Sequence, residues 1–250
     1  MEHDRIVILN TVIDVLTTED TIASVNDYII KEKPLHLMGV NADKINMLNA
    51  DNRLKEIVNG CGIINADGAS VIIASKLLKK PLPERVAGID LMMDLTYLAS
   101  ENRYKVYLLG AKQDVVDKTA DVLRNKHPEL AIVGKKNGYF SEDEWSKIGE
   151  DIKNSGAQIV FVGITSPLKE YLVEFFQKDM NLKCVFMGVG GSFDVISGQI
   201  SRAPKWMQKF SLEWLFRVLQ EPKRLFKRYF FGNWKFIRAI YYEGRNGHKS

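Results

Sequence analysis

Short apolar runs alternate with helix-length amphipathic stretches along the first two hundred residues, and that alternation limits the folds open to this chain. The runs that read as strands are Ile6–Ile8, Leu35–Val40, Gly62–Asn65, Lys105–Leu109, Ala131–Val133, Ile159–Gly163 and Cys184–Gly188. Helical spacing fills about 18–31, 43–59, 68–78, 88–102, 113–126, 141–154 and 167–179. Ser141, with Glu144 three residues on, forms a capping box and is expected to open a helix. Strands separated by helices pair in parallel, and the helices cover both faces of the sheet. The predicted class is α/β, a Rossmann-like, mostly parallel sheet with helices on both faces. In such sheets ligands bind beyond the carboxyl ends of the strands.

The alternation stops near residue 200, and the composition changes with it. Residues 201–250 hold 12 Lys/Arg against 3 Asp/Glu, a net of +9, while the whole chain is only +4. The preceding 200 residues therefore carry a net of −5. Three of the four Trp lie in the last fifty residues. Pro222 suits the first turn of a helix. At helical spacing Lys227, Arg228, Lys235 and Arg238 fall within about 60° of Arg224, while Leu225, Phe226, Tyr229, Phe230, Phe236, Ile237 and Ile240 fall opposite. This predicts an α/β body over 1–200 and a basic amphipathic helical appendage over 201–250. Two destinations fit the apolar face: an anionic membrane surface, or the body of the protein itself. Nucleic acid fits less well, because the aromatics segregate from the cations instead of interleaving with them.

No apolar run approaches the ~20 residues of a membrane span. The early Glu2, His3, Asp4 and Arg5 do not read as a secretion signal. The expected location is cytoplasmic, peripheral on the inner face of the cell membrane. Cys61 and Cys184 read as isolated buried thiols, and the four His lack metal-ligand spacing. No metal site and no cofactor are expected, and no Asp-x-Asp motif for a nucleotide-bound divalent ion is present.

Several polar or glycine residues follow the predicted strands. Asn41 follows Leu35–Val40, Asp67 follows Ala66, and Gly110 follows Leu109. Gly163 closes its strand, while Gly190, Gly191 and Asp194 follow Gly188. Together they ring one edge of the sheet. Asp67, on a tight loop, suits a general base, and equally an N-cap for helix 68–78. The glycines after Gly188 would let backbone amides approach phosphates, or simply punctuate a turn. Arg85 suits a phosphate clamp or an ion pair with Glu84. Asp90 and Asp94, one turn apart, read as a solvated helix face.

The segments Asn65-Ala66-Asp67-Gly68, Pro83-Glu84-Arg85-Val86-Ala87-Gly88-Ile89-Asp90-Leu91, Gly138-Tyr139-Phe140, Gly188-Val189-Gly190-Gly191-Ser192-Phe193-Asp194, Arg202-Ala203-Pro204-Lys205-Trp206, Leu212-Glu213-Trp214-Leu215-Phe216-Arg217 and Glu221-Pro222-x-Arg224 occur in that order. In this the chain resembles the WecG/TagA/CpsF glycosyltransferases (glycosyltransferase family 26). The resemblance implies a UDP-sugar donor, a polyprenyl-diphosphate-linked acceptor, inversion at the anomeric carbon, and a role in surface polymers such as teichoic acid linkage units. It implies Asp67 as catalytic base, with Arg85 and Asn41 in the same pocket. Together with the strand-end positions, it makes Gly110, Gly138, Tyr139, Gly163, Lys169, Glu170, Gly190, Gly191 and Asp194 the expected surroundings of the substrates. Arg217, Arg224 and Arg228 of the appendage become candidate diphosphate contacts. A homo-oligomer is left open.

Two positions depart from the family pattern. Many members have Thr-x-Asn where this chain has Gly39-Val40-Asn41, and Pro-x-Gln-Glu where it has Pro167-Leu168-Lys169-Glu170. The donor sugar is therefore not fixed by the resemblance. Lys169 is expected either to meet a negative partner near the sugar or to extend into water. Two other classes compete with the transferase. A nicotinamide-dependent oxidoreductase requires a Gly-x-Gly-x-x-Gly turn after the first strand, which Ile6–Thr11 does not provide. A non-enzymatic membrane adaptor gives no reason for polar residues to gather at strand ends.

Overall fold

The computed structural model describes residues 3–210 and 212–246, without the side chains of Lys209, Arg224, Lys227, Arg228, Tyr229 and Asn246. The strands are β1 (Arg5–Ile8), β2 (Thr11–Asp14), β3 (Leu35–Val40), β4 (Ile63–Ala66), β5 (Lys105–Gly110), β6 (Ala131–Lys136), β7 (Ile159–Gly163) and β8 (Val185–Gly188). The helices are α1 (Thr18–Ile30), α2 (Ala42–Leu48), α3 (Asn52–Asn59), α4 (Ala69–Leu77), α5 (Gly88–Asn102), α6 (Gln113–Lys126), α7 (Trp145–Ser155), α8 (Leu168–Lys178), α9 (Ser192–Ile196), α10 (Lys205–Lys209), α11 (Glu213–Gln220) and α12 (Pro222–Asn246).

Six strands form one parallel sheet in the order β4-β3-β8-β7-β5-β6. The period of two along each strand decides which side every residue serves. Leu37, Ile63, Leu108, Phe161 and Met187 join α1, α5, α6 and α9 in a core on one face. On the other face Met38, Val40, Ile64 and Ala66 pack under α2, α3, α4 and α12. Beside them Leu109, Val160, Val162 and Phe186 pack under α7 and α8. Burial on both faces explains why these strands read as continuous apolar runs. The α/β Rossmann-like class predicted from the sequence is the fold observed.

Three elements differ from the sequence reading. The stretch 43–59 is two helices: Asp51 ends the run by accepting the Leu54 N–H at 3.0 Å and starting α3. The capping box at Ser141 opens a short 3-10 turn, Glu142–Glu144, ahead of α7. The first strand belongs to a hairpin with β2, joined by Leu9 and Asn10 at φ 48° and 62°. A turn of this kind favours glycine or asparagine, so Leu9 masks it in the sequence. The hairpin docks on edge strand β4, where Asp14 Oδ2 accepts the Ile64 N–H at 2.6 Å. The far end of the chain fixes its turn, because Glu243 on α12 accepts the Leu9 N–H at 2.8 Å.

The buried face of α12 explains that contact. Phe236 and Ile240 enter the core beside Met38 and Ile45, and Asn46 donates to the Gly232 carbonyl at 2.8 Å. Of the expected apolar face, Leu225, Phe236 and Ile240 are buried, while Phe226, Phe230 and Ile237 are exposed, as are the neighbouring Trp234 and Tyr241. The helix therefore carries a buried stripe and, beside it, an exposed one.

Candidate active site

The chain leaves β3 towards β4 and leaves β5 towards β6, in opposite directions along the sheet. A crevice opens where connections diverge in this way, above the carboxyl ends of the strands between. Asp67 lies at one side of it. Its N–H and that of Gly68 donate to the Val40 carbonyl at 2.9 and 3.3 Å, folding the chain over the end of β3. Gly68 has no room for a side chain, since an added Cβ would stand 2.8 Å from Asn41 Cβ. Asn41 is thereby held beside Asp67. Its Oδ1 accepts the Lys44 N–H at 3.0 Å and caps α2.

The capping role considered for Asp67 is corrected here. Helix α4 has Gly68 at its N-cap and no side-chain cap. The carboxyl of Asp67 instead reaches across to α5, where its Oδ1 accepts the Gly88 N–H at 3.1 Å. Asp67 Oδ2 accepts no hydrogen bond among the described residues. Burial raises the pKa of this carboxyl, against the lowering pull of Arg85, the Gly88 N–H and Arg217; Glu213 pushes it further up. A third of the side-chain surface still meets solvent, so the group is desolvated but reachable.

Arg85 lies over Asp67. Its Nε donates to the Asp67 carbonyl at 2.6 Å, and its Nη2 stands 4.0 Å from Asp67 Oδ1 and 2.6 Å from Glu213 Oε2. Glu84 is not its partner; that carboxylate accepts the Thr18 N–H at 2.6 Å. The appendage thus reaches the site through α11, which carries both Glu213 and Arg217. Around them Ile89, Val195, Arg202, Ala203 and Phe216 enclose a cavity of about 20 Å³, room for roughly one water. Asp90 is more than a solvated residue: both its oxygens accept from Arg202, at 2.6 and 2.8 Å, tying the chain after residue 200 to α5. The side chains of Arg224 and Arg228 lie outside the described residues.

Across the crevice, Gly110, Gly138 and Gly163 converge. Gly110 has φ 138°, and an added Cβ would stand 2.5 Å from the Gly163 carbonyl. The Ala111 N–H donates to Gly163 O at 3.0 Å and the Gly138 N–H to Ala111 O at 2.9 Å, knitting the ends of β5, β6 and β7. Tyr139 beside them is exposed. Gly190, at φ 53°, and Gly191 lead from β8 into α9, where Asp194 sits in the first turn. These residues share the strand-end rim with Asp67 but not its immediate surroundings.

Lys169 does not extend into water. It is 8% exposed, and Glu170 is fully buried. Lys169 Nζ pairs with Glu170 Oε1 at 3.0 Å and also bonds Ser166 Oγ. Lys44 joins them from α2, bonding Ser166 Oγ at 2.5 Å and pairing with Glu170 Oε1. Two ammoniums thus share one carboxylate. Burial alone would raise the pKa of Glu170, yet Lys169 and Lys44 hold it down at about 2. Burial, then the charge of Lys169, lowers Lys44 to about 8. His36, also buried, lies close enough to feel all three charges.

With this geometry in place, the comparison with known families is decisive: the glycosyl transferase WecG/TagA/CpsF family matches residues 6–250. The protein belongs to that family. It is a glycosyltransferase, with a sugar donor and an acceptor as substrates. For a member of this family the departure at Gly39 has a direct structural meaning. A Cβ there would stand 3.2 Å from Asp67 Cβ, so a side chain at this position would crowd Asp67, and glycine lets the end of β3 lie this close to it. Lys44 and Glu213 escaped the sequence reading, because their partners lie far away in the chain. Among the described residues no three His, Cys, Asp or Glu converge as metal ligands would.

Proposed function

We propose that this glycosyltransferase moves a hexose, an N-acetylhexosamine or a uronic acid from a UDP-sugar to a polyprenyl-diphosphate-linked sugar, with inversion and without a metal ion. Asp67 takes the proton of the acceptor hydroxyl as that oxygen attacks the anomeric carbon from the side opposite UDP. The new glycosidic bond forms as the bond to the diphosphate oxygen breaks, and UDP leaves with the electron pair. Arg85 and Arg217, with backbone amides at the strand ends, supply the positive charge that steadies it.

The observation that carries this reading is the Asp67 carboxyl itself. One oxygen is oriented by Gly88, the other accepts no hydrogen bond among the described residues, and desolvation makes the group a stronger base than a solvated aspartate. The product belongs to a bacterial surface polysaccharide or teichoic acid, made at the inner face of the cell membrane. The appendage over 201–250 supports that location. Trp214, Leu215 and Val218 of α11 and Phe226, Phe230, Trp234 and Ile237 of α12 line an open apolar groove of about 330 Å³. Lys235 and Arg238 are exposed on the same helix. Aromatic and cationic side chains together suit an anionic lipid surface. Among the described residues no helix is long and apolar enough to cross a membrane.

Calorimetry with UDP, followed by a donor screen against a polyprenyl-diphosphate sugar in the presence of EDTA, tests the reading. Transfer from a UDP-sugar that survives chelation is expected. No UDP binding, or activity restored only by a divalent ion, would contradict it.

A further inference from the structure

Arg85 stands between two carboxylates and does not treat them alike. Its Nη2 is 2.6 Å from Glu213 Oε2 but 4.0 Å from Asp67 Oδ1, while its Nε holds the Asp67 backbone carbonyl at 2.6 Å. The guanidinium is anchored to Asp67 by the main chain, yet gives its charged pairing to a residue of α11. That division matters for a base. A guanidinium seated directly on a carboxylate stabilises the ionised form and makes it a weaker proton acceptor.

We propose that Glu213 is a positioning residue of the transfer reaction: it draws the Arg85 guanidinium off the Asp67 carboxylate and so keeps Asp67 basic whenever α11 is seated over the crevice. The proposal rests on Asp67 being the general base. The charged groups acting on this carboxyl are Arg85 from the segment before α5, and Arg217 and Glu213 from α11. The Gly88 amide faces it from the start of α5. On the β3 side Gly39 has no side chain and Asn41 is uncharged. Asp90, on the same turn of α5 as Gly88, is taken up by Arg202. Glu213 is therefore the one group in this set that opposes the two arginines. Because it belongs to α11, lifting α11 would release Arg85 to pair with Asp67 and silence the base.

Two arms separate this idea from the reading beneath it. In the first, the Asp67 carboxyl carbon is followed by NMR against pH in full-length protein labelled at aspartate carboxyls, and assigned by its absence in Asp67→Asn. Glu213→Gln is expected to move its titration midpoint to lower pH. Glu213→Asp keeps the charge but shortens the reach to Arg85, and is expected to move it the same way. In the second arm, with the donor found by the screen, Glu213→Gln should lower the turnover plateau by roughly 3- to 10-fold and shift its acid limb down with the NMR midpoint. An unmoved or raised midpoint in both variants overturns the role of Glu213 and leaves the transferase reading standing. Undiminished turnover in Asp67→Asn overturns both.

Discussion

The carboxyl of Asp67 accepts the backbone N–H of Gly88, so the residue at the end of β4 is oriented by the start of α5 and not by the helix that follows it. An asparagine can keep that hydrogen bond through its carbonyl oxygen but cannot take a proton. Asp67→Asn is expected to lower turnover by about 10²–10⁴-fold with the fold intact. Steady-state rates and a circular dichroism spectrum check it. Turnover near that of the unaltered protein would reduce Asp67 to a structural tie between the end of β4 and the Gly88 N–H.

The same substitution is expected to change stability in the opposite sense. Burial raises the folded-state pKa of Asp67 above its ordinary value of 3.8. Folding therefore favours the protonated acid, and ionisation costs the folded protein stability. That cost is absent below the unfolded pKa, grows as pH rises through the window between the unfolded and folded values, and is complete above it. Asp67→Asn should match the unaltered protein in acid and exceed it near neutrality. Thermal unfolding at both ends of the range decides this; a lower midpoint at neutral pH would contradict it.

Glu170 supplies a third test. Among the described residues it is the one carboxylate that pairs with Lys44 and Lys169, and all three are buried. Glu170→Gln leaves two buried ammoniums without a counter-charge and is expected to cost about 3–5 kcal/mol. Its folded pKa is held down at about 2, against 4.5 ordinarily. The stabilisation is thus full above 4.5 and lost as pH falls towards 2. The difference between Glu170→Gln and the unaltered protein should shrink over that interval in denaturant titrations. A difference that persists unchanged would mean the pairing is not its source.

The parallel sheet was legible because its strands are buried on both faces and read as unbroken apolar runs. Hairpin β1–β2 was not, since Leu9 holds a turn conformation that its residue type does not announce, with Glu243 completing it from the other end of the chain. Asp67 was legible by position, but its partner was not: α4 is next in sequence, whereas the start of α5 is next in space. The same reason hid Lys44 and Glu213. Each meets its partner, Glu170 or Arg85, only through the tertiary fold, and no local spacing encodes such a contact.

Helix α12 separates two properties that one sequence face had merged. Phe236 is 2% exposed and packs against the body, while Trp234, two residues earlier, is 69% exposed. Phe230 is also exposed and stacks on Phe226 with centroids 5.6 Å apart. Phe236→Ala removes a core side chain and is expected to cost about 3–5 kcal/mol. Trp234→Ser with Phe230→Ser removes exposed side chains that line the groove, and should leave the unfolding midpoint nearly unchanged. On the proposed membrane role, in which the aromatic stripe enters the interface, the double variant should nevertheless lose most of its sedimentation with anionic vesicles. Lowering the salt should restore part of the binding, since the exposed cations Lys235 and Arg238 remain in place and are screened less. If the double variant sediments as the unaltered protein does, the exposed stripe is not the membrane contact. If it unfolds while Phe236→Ala does not, the assignment of the two stripes is reversed.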